Sequence, residues 1–313
     1  MKLSLIVPCF NEQDNVFPFF TACKEVFHGL FDYELVFIND GSRDQTWEKL
    51  KELRECNPET PMKLINFSRN FGKEAAIYSG FQHAAGDYVT VIDADLQQRP
   101  EVALEMVRLL DKHPEYDSIA AYQQKRKEGR FMTFCKKMFY KLINRICDID
   151  FYSGASDFRT FRRVMADAIV NMREYHRFSK GIFSWVGFQT HYIPYAAEER
   201  NAGKSSWSFR KLLKYAMEGF LSFTTFPLRL ATYLGAGTSF IAIIYLIVVI
   251  IQKLTHHIAV PGYATIVVLI LLMGGIQLII LGVIGEYLAR IYIESKKRPI
   301  CIEKEYITYE EKE

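Results

Sequence analysis

No two cysteines of this chain are close enough in sequence to act as a pair. The six (Cys9, Cys23, Cys56, Cys135, Cys147 and Cys301) are scattered, and none forms a C-x-x-C spacing. In a chain of 313 residues this excludes the dense disulfide framework of a small secreted domain and a cysteine-built zinc site, and it favours reduced cytosolic thiols. Long runs of one charge are also missing. A formal net charge of +3 is too small to build an electrostatic footprint for nucleic acid, so none is expected as a partner. Internal repeats and low-complexity segments are absent. The N-terminus shows no signal peptide: Lys2 through Val7 is too short an apolar run, leads straight into Pro8, and reads as a first strand.

Half of the residues are hydrophobic, too many for a disordered chain and enough for a substantial core. Residues 1 to about 120 alternate strand-like and helix-like segments, the pattern of an α/β domain with a largely parallel sheet. Strands are expected at Leu3–Val7, Glu34–Ile38, Lys63–Phe67, Tyr88–Ile92 and Ser118–Ala121. Helices are expected over Trp47–Glu55 (capped by Asp44 or Thr46), Lys73–Ala84 and Pro100–Lys112, the last with proline in its first turn. The strands end in polar residues: Asn11-Glu12, Asn39-Asp40-Gly41-Ser42, Ser68-Arg69-Asn70 and Asp93-Ala94-Asp95. Four polar strand ends along one sheet edge make a binding crevice.

The fourth of these ends carries the most chemistry. A short Val/Ile-rich run, Tyr88–Ile92, stops at two carboxylates one residue apart, Asp93 and Asp95, with Gln97 two residues on. Mg²⁺ and Mn²⁺ favour oxygen ligands, and Mg²⁺ is usually held by one or two carboxylates together with substrate phosphates. An isolated D-x-D reads equally well as a polar turn after a strand.

From Lys125 the character changes. Lys125-Arg126-Lys127 opens a basic loop. Phe131–Ile146 then sets Phe131, Phe134, Met138 and Leu142 on one helical face beside four cations, which suits either an anionic membrane surface or an ordinary core helix. Phe209–Phe226 repeats the pattern and leads into membrane-like sequence, so an interfacial helix is expected over 206–229. Leu230–Gln252 and Ile258–Gly285 contain no charged residue, and each is long enough for a hydrocarbon core of about 30 Å. Two transmembrane helices are expected at about 230–252 and 262–286. Arg229 before them and Arg290, Lys296, Lys297 and Arg298 after them place both chain ends in the cytoplasm by the positive-inside rule. Glu286 is expected to pair with Arg290 one helical turn on, and the charged tail from Glu303 to be mobile.

Six segments in this order resemble the family 2 glycosyltransferases of the polyprenyl-phosphate type, the group of dolichyl-phosphate mannose synthase and the bactoprenol glucosyltransferases. They are Val7-Pro8-Cys9-Phe10-Asn11-Glu12, Asn39-Asp40-Gly41-Ser42, Arg69-Asn70-Phe71-Gly72-Lys73-Glu74, Asp93-Ala94-Asp95-Leu96-Gln97, Ser156-Asp157-Phe158-Arg159 and Arg200-Asn201-Ala202-Gly203-Lys204-Ser205. The resemblance implies a GT-A (Rossmann-like) nucleotide-sugar domain over 1–205, interfacial helices, a C-terminal two-helix transmembrane hairpin and a cytosolic tail over 290–313. It implies an inverting hexosyltransferase of the bacterial plasma membrane, with a UDP-sugar donor (glucose favoured), a Mn²⁺ or Mg²⁺ ion and undecaprenyl phosphate as acceptor. UDP-N-acetylglucosamine or GDP-mannose is the alternative donor. The reading from a different class is an inactive nucleotide-sugar-binding scaffold that recruits a flippase; a homo-oligomer and a flippase partner are compatible with either. A processive polysaccharide synthase fits less well, because no Gln-x-x-Arg-Trp motif is found.

By the same resemblance, Pro8, Phe10, Glu12, Asp40, Ser42, Lys73, Asp93 and Ala94 line the donor, with Asp40 accepting from the base or ribose. Asp93, Asp95 and Gln97 hold the metal. Asp157 takes the position of the catalytic base. A lipid monophosphate is already mostly ionised near neutral pH, its second pKa being about 6, so an orienting role for Asp157 fits as well. Bringing an anionic acceptor beside an anionic donor demands cations. Arg126 and Arg200 are the candidates, with Arg130, Arg159 and Lys204 assisting. Lys73 either adds charge to the donor pocket or is a solvated surface lysine. The family's D-L-Q-D-P-P continues here as Gln98-Arg99-Pro100, which leaves the surroundings of the metal site open.

Overall fold

The computed structural model describes residues 1–123, 155–196, 222–255 and 262–309. Arg126, Arg130, Arg200, Lys204, the helix expected over 131–146 and most of the interfacial helix expected over 206–229 lie outside the described residues.

The chain divides into two units, Met1–Ser222 with Pro299–Glu313, and Phe223–Arg298. The first opens with four strand–helix steps: β1 (Lys2–Cys9), α1 (Val16–Phe27), β2 (Asp32–Asn39), α2 (Thr46–Cys56), β3 (Met62–Phe67), α3 (Lys73–His83), β4 (Tyr88–Val91) and α4 (Pro100–Lys112). Then come β5 (Ser118–Gln123), β6 (Ala155–Arg162), α5 (Arg163–Asn171), α6 (Ser179–Trp185), β7 (Thr190–Tyr195) and, after the second unit, β8 (Glu303–Ile307). The eight strands among the described residues join one sheet in the order β7-β5-β6-β4-β1-β2-β3-β8.

The sheet is mixed rather than largely parallel. β1 to β4 run parallel at its centre, as the βα alternation requires. β6 inserts antiparallel between β4 and β5, and β8 closes the far edge antiparallel to β3. Alternation of side chains splits the central strands between two faces. Leu3, Leu5, Val7, Leu35, Phe37 and Leu64 face α1, α2 and α4 and form the main core. Ile6 and Ile38 face α3, where Gly80 lets the helix approach so closely that a Cβ would collide with the Ile6 side chain. Phe81, Phe161 and Phe183 stack edge-on beyond it, with ring centroids 4.8–6.2 Å apart.

The tail expected to be mobile is instead a strand. One extra residue, Lys304, bulges between the pairs Asn66↔Glu305 and Phe67↔Glu303, so Glu303 and Glu305 reach opposite faces of the sheet. Glu303 accepts from Ser79 Oγ and lies 2.9 Å from His83 Nε2, while Glu305 accepts from Trp47 Nε1 at 3.1 Å. Lone glutamates that read as solvated charge are thus the groups that fasten this strand.

The second unit holds α7 (Phe226–Thr255) and α8 (Tyr263–Ser295). Phe226–Tyr245 and Val268–Ser295 are long and apolar enough to cross a membrane, and neither span is buried inside the protein. α7 starts within the stretch expected to be interfacial, and α8 runs past the expected end at 286. Arg290 and Glu286 pair at 4.0 Å, as their spacing implies.

Candidate active site

The carboxyl ends of β1, β2, β3 and β4 lie side by side and carry their loops to one edge. Two kinds of construction meet there.

Over β1, β2 and β3 the loops satisfy one another. Asn11, at φ 58°, donates its backbone N–H to Ser42 Oγ and accepts from the Arg43 N–H on its side-chain oxygen, both at 2.9 Å. Glu12 donates its N–H to Thr46 Oγ1, and its carboxylate takes the Asn15 amide at 2.5 Å. Asn39 donates to Asn66 and accepts from the Ser42 N–H. Asp40 is almost fully buried, and its carboxyl accepts the N–H groups of Phe71 at 2.7 Å and Gly72 at 3.0 Å. Burial pushes the Asp40 pKa up to about 6, and the two amides offset this only in part. Gly41 has φ 62°, and a Cβ there would strike the backbone of Arg69 and Asn70. Asp40 and Gly41 thus shape the β3–α3 loop directly. Pro8 lies at the end of β1, Phe10 just past it is exposed, and Ala94 is buried between the two carboxylates.

Around Lys73 the construction is electrostatic. Its ammonium lies 2.6 and 2.9 Å from the two oxygens of Asp93 and 3.5 Å from Asp157 Oδ2. Burial works against the ammonium, but Asp93 and Asp157 outweigh it and hold the pKa above lysine's ordinary value. Lys73 is thus paired with two carboxylates, while 38% of its side chain stays exposed. Asp157 stands on β6 beside β4, which explains how a residue 64 positions after Asp93 comes near it. Burial would raise its carboxyl, yet Lys180 and Lys73 prevail and keep it below the usual aspartate range. Among the described residues its Oδ1 is buried without a hydrogen-bond partner.

Arg159 is not placed as expected. It is 2% exposed, with its guanidinium 5.1 Å from the Phe183 ring centroid and 6.0 Å from that of Tyr192. From the core its positive charge helps keep the Asp157 carboxyl ionised.

Asp93 and Asp95 offer hard oxygen donors one residue apart. Leu96, at φ 60°, turns the chain so that the Gln97 N–H bonds Asp95 Oδ1 at 3.2 Å. Gln98, which replaces an acid of the family pattern, fixes Asp93 twice: it accepts the Asp93 N–H at 2.9 Å and donates to Asp93 Oδ2 at 3.0 Å. Among the described residues no group of three or more His, Cys, Asp or Glu stands ready to hold an ion. An ion bound by two carboxylates must complete its shell with water and ligand phosphate oxygens, a donor set that suits Mg²⁺ or Mn²⁺.

Beside Lys73 and Asp157 opens a cavity of about 670 Å³ whose lining includes Arg69, Phe71, His176, Arg177 and Lys180. The sequence motifs gave no sign of the 175–180 segment. It is drawn in by Glu74, whose Oε2 accepts both the N–H (2.8 Å) and the hydroxyl of Ser179.

A nucleotide-sugar domain of GT-A type is what this sheet and its D-x-D edge define. Residues 4–170 match the model of glycosyl transferase family 2, and residues 226–291 match the GtrB C-terminal hairpin. The chain belongs to family 2 and is a glycosyltransferase. It is 41% identical to the bactoprenol glucosyl transferase of Shigella phage SfV, over 97% of this chain and 98% of that one. It is equally identical to the prophage bactoprenol glucosyl transferase homolog of Escherichia coli K12, over 97% and 99%. The mannosyltransferase PcManGT of Pyrobaculum calidifontis, solved with GDP-Man and Mn²⁺, shares the fold at 16% identity and a TM-score of 0.50, over 70% of this chain and 63% of that one.

Proposed function

We propose that this enzyme moves one hexose, glucose favoured, from a UDP-sugar to a polyprenyl phosphate (undecaprenyl phosphate in a bacterial cell). The observation that carries this reading is the Lys73 ammonium set between Asp93 and Asp157 at the mouth of a cationic cavity. The names of the full-length relatives support the lipid acceptor and the glucosyl group.

A Mn²⁺ or Mg²⁺ ion on Asp93 and Asp95 would neutralise charge on the departing nucleoside diphosphate. Gln98 keeps Asp93 oriented for that purpose, and Lys73 adds a cation on the sugar side. An acceptor phosphate oxygen attacks the anomeric carbon while the bond from that carbon to the β-phosphate oxygen breaks. UDP leaves and the configuration inverts. Since the attacking phosphate is already ionised, no proton has to be removed. Asp157, kept ionised by Lys73 and Lys180, orients the acceptor and faces the positive charge that develops on the sugar. Arg126 and Arg200 are proposed to hold the acceptor phosphate, and the β1–β3 loops, with Pro8, Phe10, Glu12 and Ser42, to seat the nucleoside.

Topology supports a cytoplasmic catalytic unit. β8 follows α8 yet belongs to the same sheet as β1, so both ends of the hairpin return to one folded unit and the number of crossings must be even. The cations flanking the two spans favour the cytoplasmic side for that unit.

The test is full-length protein in nanodiscs with undecaprenyl phosphate, Mn²⁺ and a panel of UDP-glucose, UDP-N-acetylglucosamine and GDP-mannose, read by mass of the lipid. One added hexose from UDP-glucose is expected. Nucleotide binding with no product from any donor would instead favour a scaffold.

A further inference from the structure

We infer that the His176–Lys180 segment forms a phosphate-binding subsite in the cavity beside Asp157. Among the described residues, two buried side-chain nitrogens on residues lining that cavity have no hydrogen-bond partner: His176 Nε2 and Arg177 Nε. A buried nitrogen left without a partner is costly, so two around one cavity mark a place where a ligand with acceptor oxygens completes the bonding.

The charge of the lining says which ligand. Arg69, Lys73, Arg177 and Lys180 stand against two carboxylates, Glu74 and Asp157. Each carboxylate is already committed in part: Glu74 to Ser179, Asp157 to Lys73. The surplus positive charge matches a phosphate dianion. Arginine beside lysine is also the pairing that binds phosphate well, a planar donor set next to a mobile point charge.

The segment is built to hold its position. Ser179 is fastened to Glu74 on the first turn of α3, the helix that starts with Lys73. Arg177 is 9% exposed, its guanidinium lies 4.4 Å from the Tyr78 ring centroid, and one of its terminal nitrogens donates to the Met172 carbonyl. Its orientation is therefore set before any ligand arrives, and little side-chain entropy remains to be lost on binding.

This subsite rests on the transferase reading, which supplies two phosphates: the monophosphate of the acceptor and the diphosphate of the donor. Isothermal titration on the full chain in nanodiscs separates them, with geranyl phosphate, geraniol as its phosphate-free control, and UDP with Mn²⁺ as probes. Lys180→Met is expected to weaken geranyl phosphate at least tenfold, to leave UDP within twofold, and to be rescued to within threefold by Lys180→Arg. His176→Phe should weaken the same probe severalfold and serves as an independent variant should Lys180→Met fail to fold. The reverse pattern, UDP weakened and geranyl phosphate not, would assign the subsite to the donor's diphosphate. Both probes within twofold of wild type in the folded variants, or wild type binding geraniol as tightly as geranyl phosphate with UDP unaffected by the variants, would overturn the proposal. None of these readouts needs turnover, so a failure of the transferase reading is seen separately, as absence of lipid product.

Discussion

The two halves of the strand-end crevice are built on opposite principles. Over β1, β2 and β3, short polar side chains and backbone amides close on one another: Asn11 with Ser42 and Arg43, Asp40 with Phe71 and Gly72. Around Lys73, Asp93 and Asp157, full charges stand close together, and buried atoms such as Asp157 Oδ1 and His176 Nε2 wait for partners. The first half is held in shape by bonds the protein makes with itself. The second is balanced electrostatically but not satisfied, so binding there draws on interactions the protein has not already made. A nucleoside needs a fixed shape; a transferring phosphate and sugar need charge that strengthens as the reaction proceeds.

The sharpest way to break this contrast is Lys73→Met. Removing the cation that faces both carboxylates should lower kcat by about 10²- to 10³-fold, with UDP affinity changed far less, as measured by steady-state lipid glycosylation and titration calorimetry. A drop confined to UDP affinity would place Lys73 in the preformed half instead.

Asp40 probes that preformed half through pH. Its carboxyl has a folded pKa of about 6 against an ordinary value of 3.8, so the folded state binds the proton more tightly than the unfolded one. Stability from this group is therefore fully present below about pH 4, declines as pH rises, and levels off above about pH 6, a difference of about 3 kcal/mol. Denaturant unfolding of wild type and Asp40→Asn, followed by tryptophan fluorescence, should show that decline in the wild type and its loss in the variant. Parallel pH profiles would mean that the carboxyl is not buried as described.

The smallest expected effect is at Gln98. Gln98→Ala frees Asp93 from two hydrogen bonds and should weaken Mn²⁺ binding in the presence of UDP by about 10- to 100-fold, read by electron paramagnetic resonance. Gln98→Glu, which keeps the side-chain length and puts a carboxylate in place of the amide, should lose the donated bond to Asp93 and fall between wild type and alanine.

Much of the first half was legible in the sequence because it is local. The strands and helices through α4 fall within a few residues of their expected places, and the polar strand ends fall on one edge, since right-handed βα steps leave no other arrangement. α1 was readable but missed: Val16, Phe19, Phe20, Cys23 and Phe27 are buried at helical spacing. β8 was hidden by its charge, because Glu303 and Glu305 find partners more than 200 residues away. Arg159 misled for the opposite reason. An arginine two residues from a catalytic-type aspartate looks like a phosphate ligand, yet Arg159 lies further along the same strand, buried in the core against the Phe183 ring.

Sequence alone determined the family, the D-x-D edge and the two apolar spans, since each is written in contiguous residues whose spacing matches a strand, a turn or a bilayer. Only the tertiary structure decided which charges meet. Asp93, Lys73 and Asp157 come from β4, α3 and β6, Gln98 turns back on Asp93, and Glu74 draws in the segment with Arg177 and Lys180. Electrostatic interactions depend on distance and burial rather than on separation along the chain, and both are properties of the packed sheet.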